Sequence, residues 1–457
     1  MRNVVGVCGS KRPLCRFARV LLFSSTRPRT YAPAAIARLL IPGRQMGGSH
    51  ARGAAGAAAA TSPHGAPAPP VVALAHPSIP GFAFPSETLT LAAAATSGTA
   101  TNTAPRLRVL VLPGNPGAAA FYGPFLARLH ARLGGGADVV ALSLHGHEAG
   151  VGDAPGPAWR LPPSKRRGEG GDGRPTRPSL LLPVTGLDGQ VAHAAAAAAG
   201  LAETGSVCGR GDGPPAPLAL VGHSIGALIA LRAAALLEEG GGGGGAGGTP
   251  APAPPAPAIT IPSVVALMPY LTFNASAPQQ RALRLATRRP GRAVAAVAAA
   301  GLARLPGRVQ RSILRGVTGG EGAAAAAAAP GAPRTAGLAP HAAGAVLAFL
   351  AAGGTRHALG LAATEFRQLG APGFAPEWGL LARLGRRGAA FYADGDHWCP
   401  AGCGSAGLAA AAAAAPDATV RLLPDQRHDF PVCEARSLAA ADAVADALLL
   451  RIGCWIE

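Results

Sequence analysis

Pro217-Leu-Ala-Leu-Val-Gly-His-Ser-Ile-Gly226 runs straight into Ala227-Leu-Ile-Ala-Leu-Arg-Ala-Ala-Ala-Leu-Leu237. The apolar residues up to Val221 suit a strand, and those after Gly226 follow a helical pattern. Between them, Gly222-His223-Ser224-Ile225-Gly226 is G-x-S-x-G in the strand–turn–helix setting that gives this pattern its mechanics. So tight a turn forces a strained backbone on Ser224, and the flanking glycines leave room for it. Its hydroxyl then stands clear of the sheet, with the Ile225 N–H at the start of a helix facing the same point. Ser224 is therefore the candidate nucleophile. In a chain with 64 glycines the five residues alone would mean little, and the strand and helix on either side carry the reading.

Working outward, Leu107–Leu112 reads as a buried parallel strand ending in the loop Pro113-Gly-Asn-Pro-Gly117. Residues 118–133 follow as a helix with Phe121, Phe125 and Leu129 on one face. Asp138–Leu144 is a second strand leading to His145-Gly-His147, and Leu187–Ala199 is a helix beside the Ser224 strand. Ser263–Met268, Ala389–Ala393 and Ala418–Leu423 are further strands, with an Ala-rich helix over 405–415 and a closing amphipathic helix over Arg436–Ile452. Strands alternating with helices predict an α/β fold whose mostly parallel central sheet is flanked by helices through right-handed crossovers. Residues 270–385 are helical, rich in Arg and Ala, and interrupted by Ala323–Pro333. They form a helical cap inserted before the acid-bearing strand. The expected division is 1–104 as a disordered extension, 105–269 and 386–457 as the two parts of the core, and 270–385 as the cap. Low-complexity inserts at 150–180 and 240–258 are expected to be disordered.

A serine nucleophile needs a base to take its proton and an acid to hold that base in one tautomer. In the chain order Ser…Asp…His these partners come from loops after later strands. The loop after Ala393 is Asp394-Gly-Asp-His-Trp-Cys-Pro400, and the one after Leu423 is Pro424-Asp-Gln-Arg-His-Asp-Phe430. His428 alone follows the last strand and is the candidate base. Asp396 is the favoured acid because Pro400 follows it at the spacing of the usual turn, and Asp394, at the strand end, is the other candidate. Two aimed N–H groups complete an oxyanion site, one from Ile225 and one from the Pro113–Gly117 loop, best from Asn115.

Composition bounds the remaining classes. The formal charge is +18. Ten basic residues lie before the first acid, Glu87, and nine arginines lie in the acid-free segment 281–315. With those two segments set aside the chain is close to neutral, which argues against a general nucleic-acid binder. The seven cysteines show no framework spacing, so a reducing compartment is expected. Cys399 and Cys403 beside His397 lack a second ligand pair, and neither a metal nor a cofactor is expected. No run of eighteen or more strongly apolar residues suggests a spanning helix. The Arg-rich, acid-free residues 1–86 suit a plastid or mitochondrial transit peptide, or a disordered tail. In the cap, Arg281–Arg289 and Arg308–Arg315 space arginines three to four apart around Leu283, Leu285, Val309, Ile313 and Leu314. That pattern fits a basic helix lying in a lipid interface, or else a solvated face.

Taken together, Pro113–Gly117, Phe121-Tyr122, Leu187-Asp-Gly-Gln190 with His193, Gly222–Gly226, Asp396-x-Trp-Cys-Pro400 and His428-Asp-Phe430 resemble the lipid droplet-associated hydrolase family of α/β-hydrolases. The resemblance covers about 105–235 and 260–451. It implies a Ser224, Asp396, His428 triad and a place at lipid droplets or related membranes. The substrates it implies are sterol or other neutral-lipid esters. The chain departs from the family in its Asp394-Gly-Asp-His turn and in the Ala- and Arg-rich cap. The leading expectation is a serine carboxylester hydrolase acting on a lipid ester at a droplet monolayer or membrane surface. The alternatives are a lipid-surface binding or organising protein with weak or vestigial activity, and a plastid esterase acting on another ester.

Overall fold

The computed structural model describes residues 72–75, 86–92, 107–148, 186–205, 215–240, 259–271, 278–310, 339–351, 354–369, 375–393 and 405–456, with a few single positions that include Phe273, Asp396 and Trp398. The insert at 150–180, all of the insert at 240–258 except Gly240, the interruption at 323–333 and residues 1–71 lie outside the described residues.

Eight strands form one sheet in the order β1-β2-β4-β3-β5-β6-β7-β8. They are β1 (Val72–Ala75), β2 (Thr88–Leu91), β3 (Leu107–Leu112), β4 (Ala137–Leu142), β5 (Leu218–His223), β6 (Ser263–Leu267), β7 (Gly388–Ala393) and β8 (Thr419–Leu423). From β4 to β8 all neighbours are parallel, and β1 and β2 add an antiparallel edge beside β4. This edge corrects the expected boundary at 104, because order in the sheet begins well before the first long apolar run. Four-residue strands such as Thr88-Leu-Thr-Leu91 carry too little periodic signal to stand out from filler.

β3 and β5 are buried along their whole length, as strands covered on both faces must be. At the start of β3 this includes Arg108, whose guanidinium donates to the Ala202 carbonyl at 2.8 Å and lies 3.8 Å from Asp138. One face of the sheet is covered by α1 (Gly123–Arg132), which a 3-10 turn at Ala119–Tyr122 introduces, and by α10 (Glu434–Ile456). The other carries α2 (Leu187–Thr204), α3 (Ile225–Gly240), α8 (Ala375–Leu384) and α9 (Ser405–Ala414). Fully buried side chains such as Phe125, Leu126 and Leu129 of α1 and Leu228, Ile229 and Leu231 of α3 supply about 1.5–3 kcal/mol each.

The described part of the cap is helical, as expected. It holds α4 (Pro278–Ala286), α5 (Arg289–Arg304), α6 (Pro340–Ala351) and α7 (Gly354–Gln368), followed by α8. Among the described residues no single helix is long and apolar enough to cross a membrane.

Candidate active site

Ser224 ends the β5 run and opens α3 with φ at +56°, in the left-handed region that costs a non-glycine residue energy. The surroundings hold it there. Its N–H donates to the Leu267 carbonyl at 2.9 Å, and its carbonyl accepts from Tyr270 at 3.1 Å. The two glycines of the pattern are sites of close approach. A Cβ on Gly222 would lie 2.2 Å from the Gly226 carbonyl oxygen, and one on Gly226 would lie 2.3 Å from that of Leu112.

The Ser224 Oγ lies 2.8 Å from His428 Nε2, and His428 Nδ1 lies 2.7 Å from Asp396 Oδ2. Three residues far apart in sequence, from the ends of β5, β7 and β8, thus form one hydrogen-bonded chain. The other Asp396 oxygen accepts the Trp398 N–H at 2.8 Å, and the Asp396 side chain is fully buried beside a half-buried imidazole. A carboxylate accepts at both oxygens, so His428 carries its proton on Nδ1 and offers Nε2 to the serine hydroxyl. Asp394, the other candidate acid, lies outside the described residues, as do Cys399 and Cys403. Among the described residues no three His, Cys, Asp or Glu side chains gather as a metal-binding group.

The Pro113–Gly117 loop presses against Ser224. A Cβ on Gly114 would sit 2.8 Å from Ser224 Cβ and 3.0 Å from His223 Nδ1. Of the loop's main-chain donors, Gly114 donates to the Tyr122 hydroxyl at 3.0 Å and Gly117 to His147 Nδ1 at 3.1 Å, while Pro116 has none. That leaves the Asn115 N–H. The Ile225 N–H belongs to the first turn of α3, where helix amides have no intrahelical partner. The Asn115 side chain points elsewhere, donating to the Ala358 carbonyl at 2.9 Å and to Glu365 Oε1 at 3.1 Å.

Several residues around this chain were not singled out by sequence reasoning. The Tyr122 hydroxyl accepts from Gly114 and lies 2.6 Å from His223 Nδ1, so we assign its own proton to that nitrogen. Burial, and to a lesser degree His428, hold His223 well below the usual histidine range, which keeps the ring neutral. Phe430 packs its ring against His223 at 4.8 Å, Phe125 at 5.7 Å and Tyr122 at 6.2 Å, and so fixes the loop that carries His428. Burial pushes the Glu365 carboxyl up to about 8, against the opposing pull of its bond from Asn115. The signal for Tyr122 and His223 was present, since both sit inside the quoted motifs. Glu365 lies more than two hundred residues from the loop it touches, and nothing local marks it.

A separate polar cluster lies under the same loop. Burial drives His147 well below the usual range, His193 to about 3 and His357 to about 4, while it pushes the Glu148 carboxyl up to about 8. A surface groove lined by Asp188, Val191, Arg232, Leu236, Leu380 and Arg383 shares no residue with the Ser224 site.

The strand order, the turn after β5 and the loops after β3, β7 and β8 define an α/β-hydrolase. The model of the lipid-droplet associated hydrolase family matches residues 105–431, and the chain belongs to that family. It is accordingly a hydrolase. Among solved structures, it is similar to a thermophilic esterase from Thermogutta terrifontis at 12% identity and a TM-score of 0.43, covering 82% of this chain and 98% of that one. An E-2-(acetamidomethylene)succinate hydrolase is similar at 15% and 0.41, covering 84% and 100%. Carboxyl esterase 2 from Tuber melanosporum is similar at 11% and 0.39, covering 86% and 87%. Likenesses this remote do not bear on the chemistry. No curated protein matches the chain.

Proposed function

We propose that the protein is a serine carboxylester hydrolase that cleaves neutral-lipid esters, sterol or acylglycerol, at a lipid droplet or membrane surface. The observation that carries the catalytic part is the unbroken chain Ser224 Oγ, His428, Asp396, with contacts of 2.8 and 2.7 Å. Ser224 attacks the ester carbonyl carbon while its proton passes to His428 Nε2. Asp396 holds the ring in the tautomer that can accept and then stabilises the imidazolium. The Ile225 and Asn115 N–H groups receive the oxyanion. His428 then gives its proton to the departing alcohol oxygen, leaving the acyl group on Ser224. A water, deprotonated by the same imidazole, attacks that acyl group and frees the acid. The step requires no metal or cofactor.

The lipid-surface part is supported by the family and by the outer face of the cap. α5 exposes Val294 at 52% and Val297 at 74%, and α4 exposes Leu285 at 52%. Arg281, Arg284, Arg288, Arg289 and Arg308 are exposed in the same segment, and no acid occurs between Glu239 and Glu321. Exposed apolar side chains in an acid-free, arginine-rich segment suit an interface of acyl chains beneath anionic headgroups.

The direct test is hydrolysis of a panel of sterol, glyceryl and short-chain esters by the full chain, alongside Ser224→Ala. Turnover of a long-chain neutral-lipid ester that Ser224→Ala abolishes is the expected result. Turnover of short soluble esters alone would remove the lipid assignment, and equal turnover by both proteins would remove the serine mechanism.

A further inference from the structure

Five residues of α7, all at helical spacing, place polar groups on the core. The His357 ring fills the space over Gly146, whose Cβ would otherwise lie 2.4 Å from Nδ1. The Ala358 carbonyl and Glu365 Oε1 accept from the Asn115 side chain. Thr364 Oγ1 accepts the Leu187 N–H at 3.1 Å, and the Gln368 amide joins Asp188 and Arg232. Leu361, fully buried, lies in the same stripe. α7 is therefore fastened along its length to the core, and its buried carboxyl, Glu365, touches the loop beside the nucleophile.

A buried carboxyl is expensive unless it is neutral or well paired. Glu365 is 3% exposed and meets the Asn115 amide, and Tyr270 is the titratable side chain next to it. An acid buried here, against Asn115, points to a task at that loop.

We propose that Glu365 is a positioning residue for ester cleavage. By tethering the Asn115 side chain to α7, it aims the Asn115 main-chain N–H at the carbonyl oxygen over Ser224. The inference rests on the Ser224 reading above. An oxyanion donor works only at hydrogen-bond distance from where the negative charge develops, so a slack loop loses rate and not substrate. Because burial keeps the carboxyl largely neutral near pH 7, glutamine is its closest mimic, with a carbonyl oxygen still able to accept from Asn115.

The test is steady-state hydrolysis of a soluble p-nitrophenyl ester by the full chain. Glu365→Met fills the volume without accepting, and should lower kcat by about 10- to 100-fold with little change in KM. Glu365→Gln should restore most of the loss. Asn115→Ala keeps the main-chain N–H but cuts the tether without touching the cap, so it should show the same loss. The double variant Asn115→Ala/Glu365→Met should lose no more than either single one. Wild-type kcat in Asn115→Ala, a loss confined to KM, or single losses that multiply would each overturn the proposal. So would a Glu365→Gln protein no better than a folded Glu365→Met. If Glu365→Met does not melt as a folded protein, Glu365→Leu takes its place, because Asn115→Ala also removes the bond to the Ala358 carbonyl. Failure of the underlying reading would appear elsewhere, as a Ser224→Ala protein that still turns over the ester.

Discussion

Asp396→Asn changes one atom in the chain that links the acid to the serine. Asp396 now accepts at both oxygens, from Trp398 N–H at 2.8 Å and from His428 Nδ1–H at 2.7 Å. Asparagine can accept at only one. If its oxygen stays with the Trp398 amide, its NH2 faces Nδ1, and the histidine must move its proton to Nε2. That proton then points at Ser224 Oγ, 2.8 Å away, and the ring can no longer receive the serine proton. The opposite orientation turns NH2 towards the Trp398 N–H and leaves a buried donor unpaired, at about 1–3 kcal/mol. The imidazolium formed during attack also loses its carboxylate. Together these effects should cost about 10⁴-fold in kcat, or ~5.5 kcal/mol of transition-state stabilisation. The assay is short-chain ester hydrolysis, with a thermal melt to confirm that the side-chain swap left the fold intact. An Asp396→Asn enzyme within about tenfold of wild type, beside an inactive Asp394→Asn, would refute the reasoning and move the acid to Asp394.

Gly114→Ala would put a methyl carbon 2.8 Å from Ser224 Cβ, so the loop must retreat; activity should fall by about 100-fold or more in a protein that still melts cooperatively. The Glu148 carboxyl, pushed up to about 8 chiefly by burial, contributes stability that is full below about pH 4.5 and lost as pH rises towards 8. The change in melting temperature from pH 5 to pH 8 should therefore be more positive in Glu148→Gln than in wild type, and identical changes would contradict the assignment. His193 and His357 act in the opposite sense: held near 3 and 4, they contribute stability above pH 6.5 that is lost as pH falls towards those values. For the cap surface, Val294→Asp/Val297→Asp should abolish flotation with anionic liposomes, and Arg281, Arg284, Arg288 and Arg289 changed together to Gln should weaken it, since each arginine contributes about 1 kcal/mol. Flotation unchanged in both would mean that this face does not meet lipid.

The parts of this fold legible in the sequence are those written in strong local patterns. β3, β4, β5 and β6 are mostly apolar runs, broken at one end by Arg108 in β3 and Asp138 in β4, and the turn at Ser224 is marked by its glycines. His428 stood out because one histidine follows the last strand. The edge strands were not legible, because β1 and β2 are short and sit among Ala- and Pro-rich residues of similar composition. Asn115 was expected to serve as a donor, and its side-chain amide lies in the grip of Ala358 and Glu365. That contact joins residues separated by some 250 positions, so only the folded chain displays it. Tyr122 and His223 stood in plain view within the motifs. What the sequence lacked was the turn geometry that makes them partners at 2.6 Å.

The most direct measurement is the intact mass of the protein after exposure to a fluorophosphonate, followed by peptide mapping of the adduct. A single adduct on Ser224, formed rapidly in wild type and far more slowly in His428→Ala, is the predicted result. A folded protein that stays unmodified, or that carries its adduct on another residue, would contradict the claim that Ser224 is the activated nucleophile.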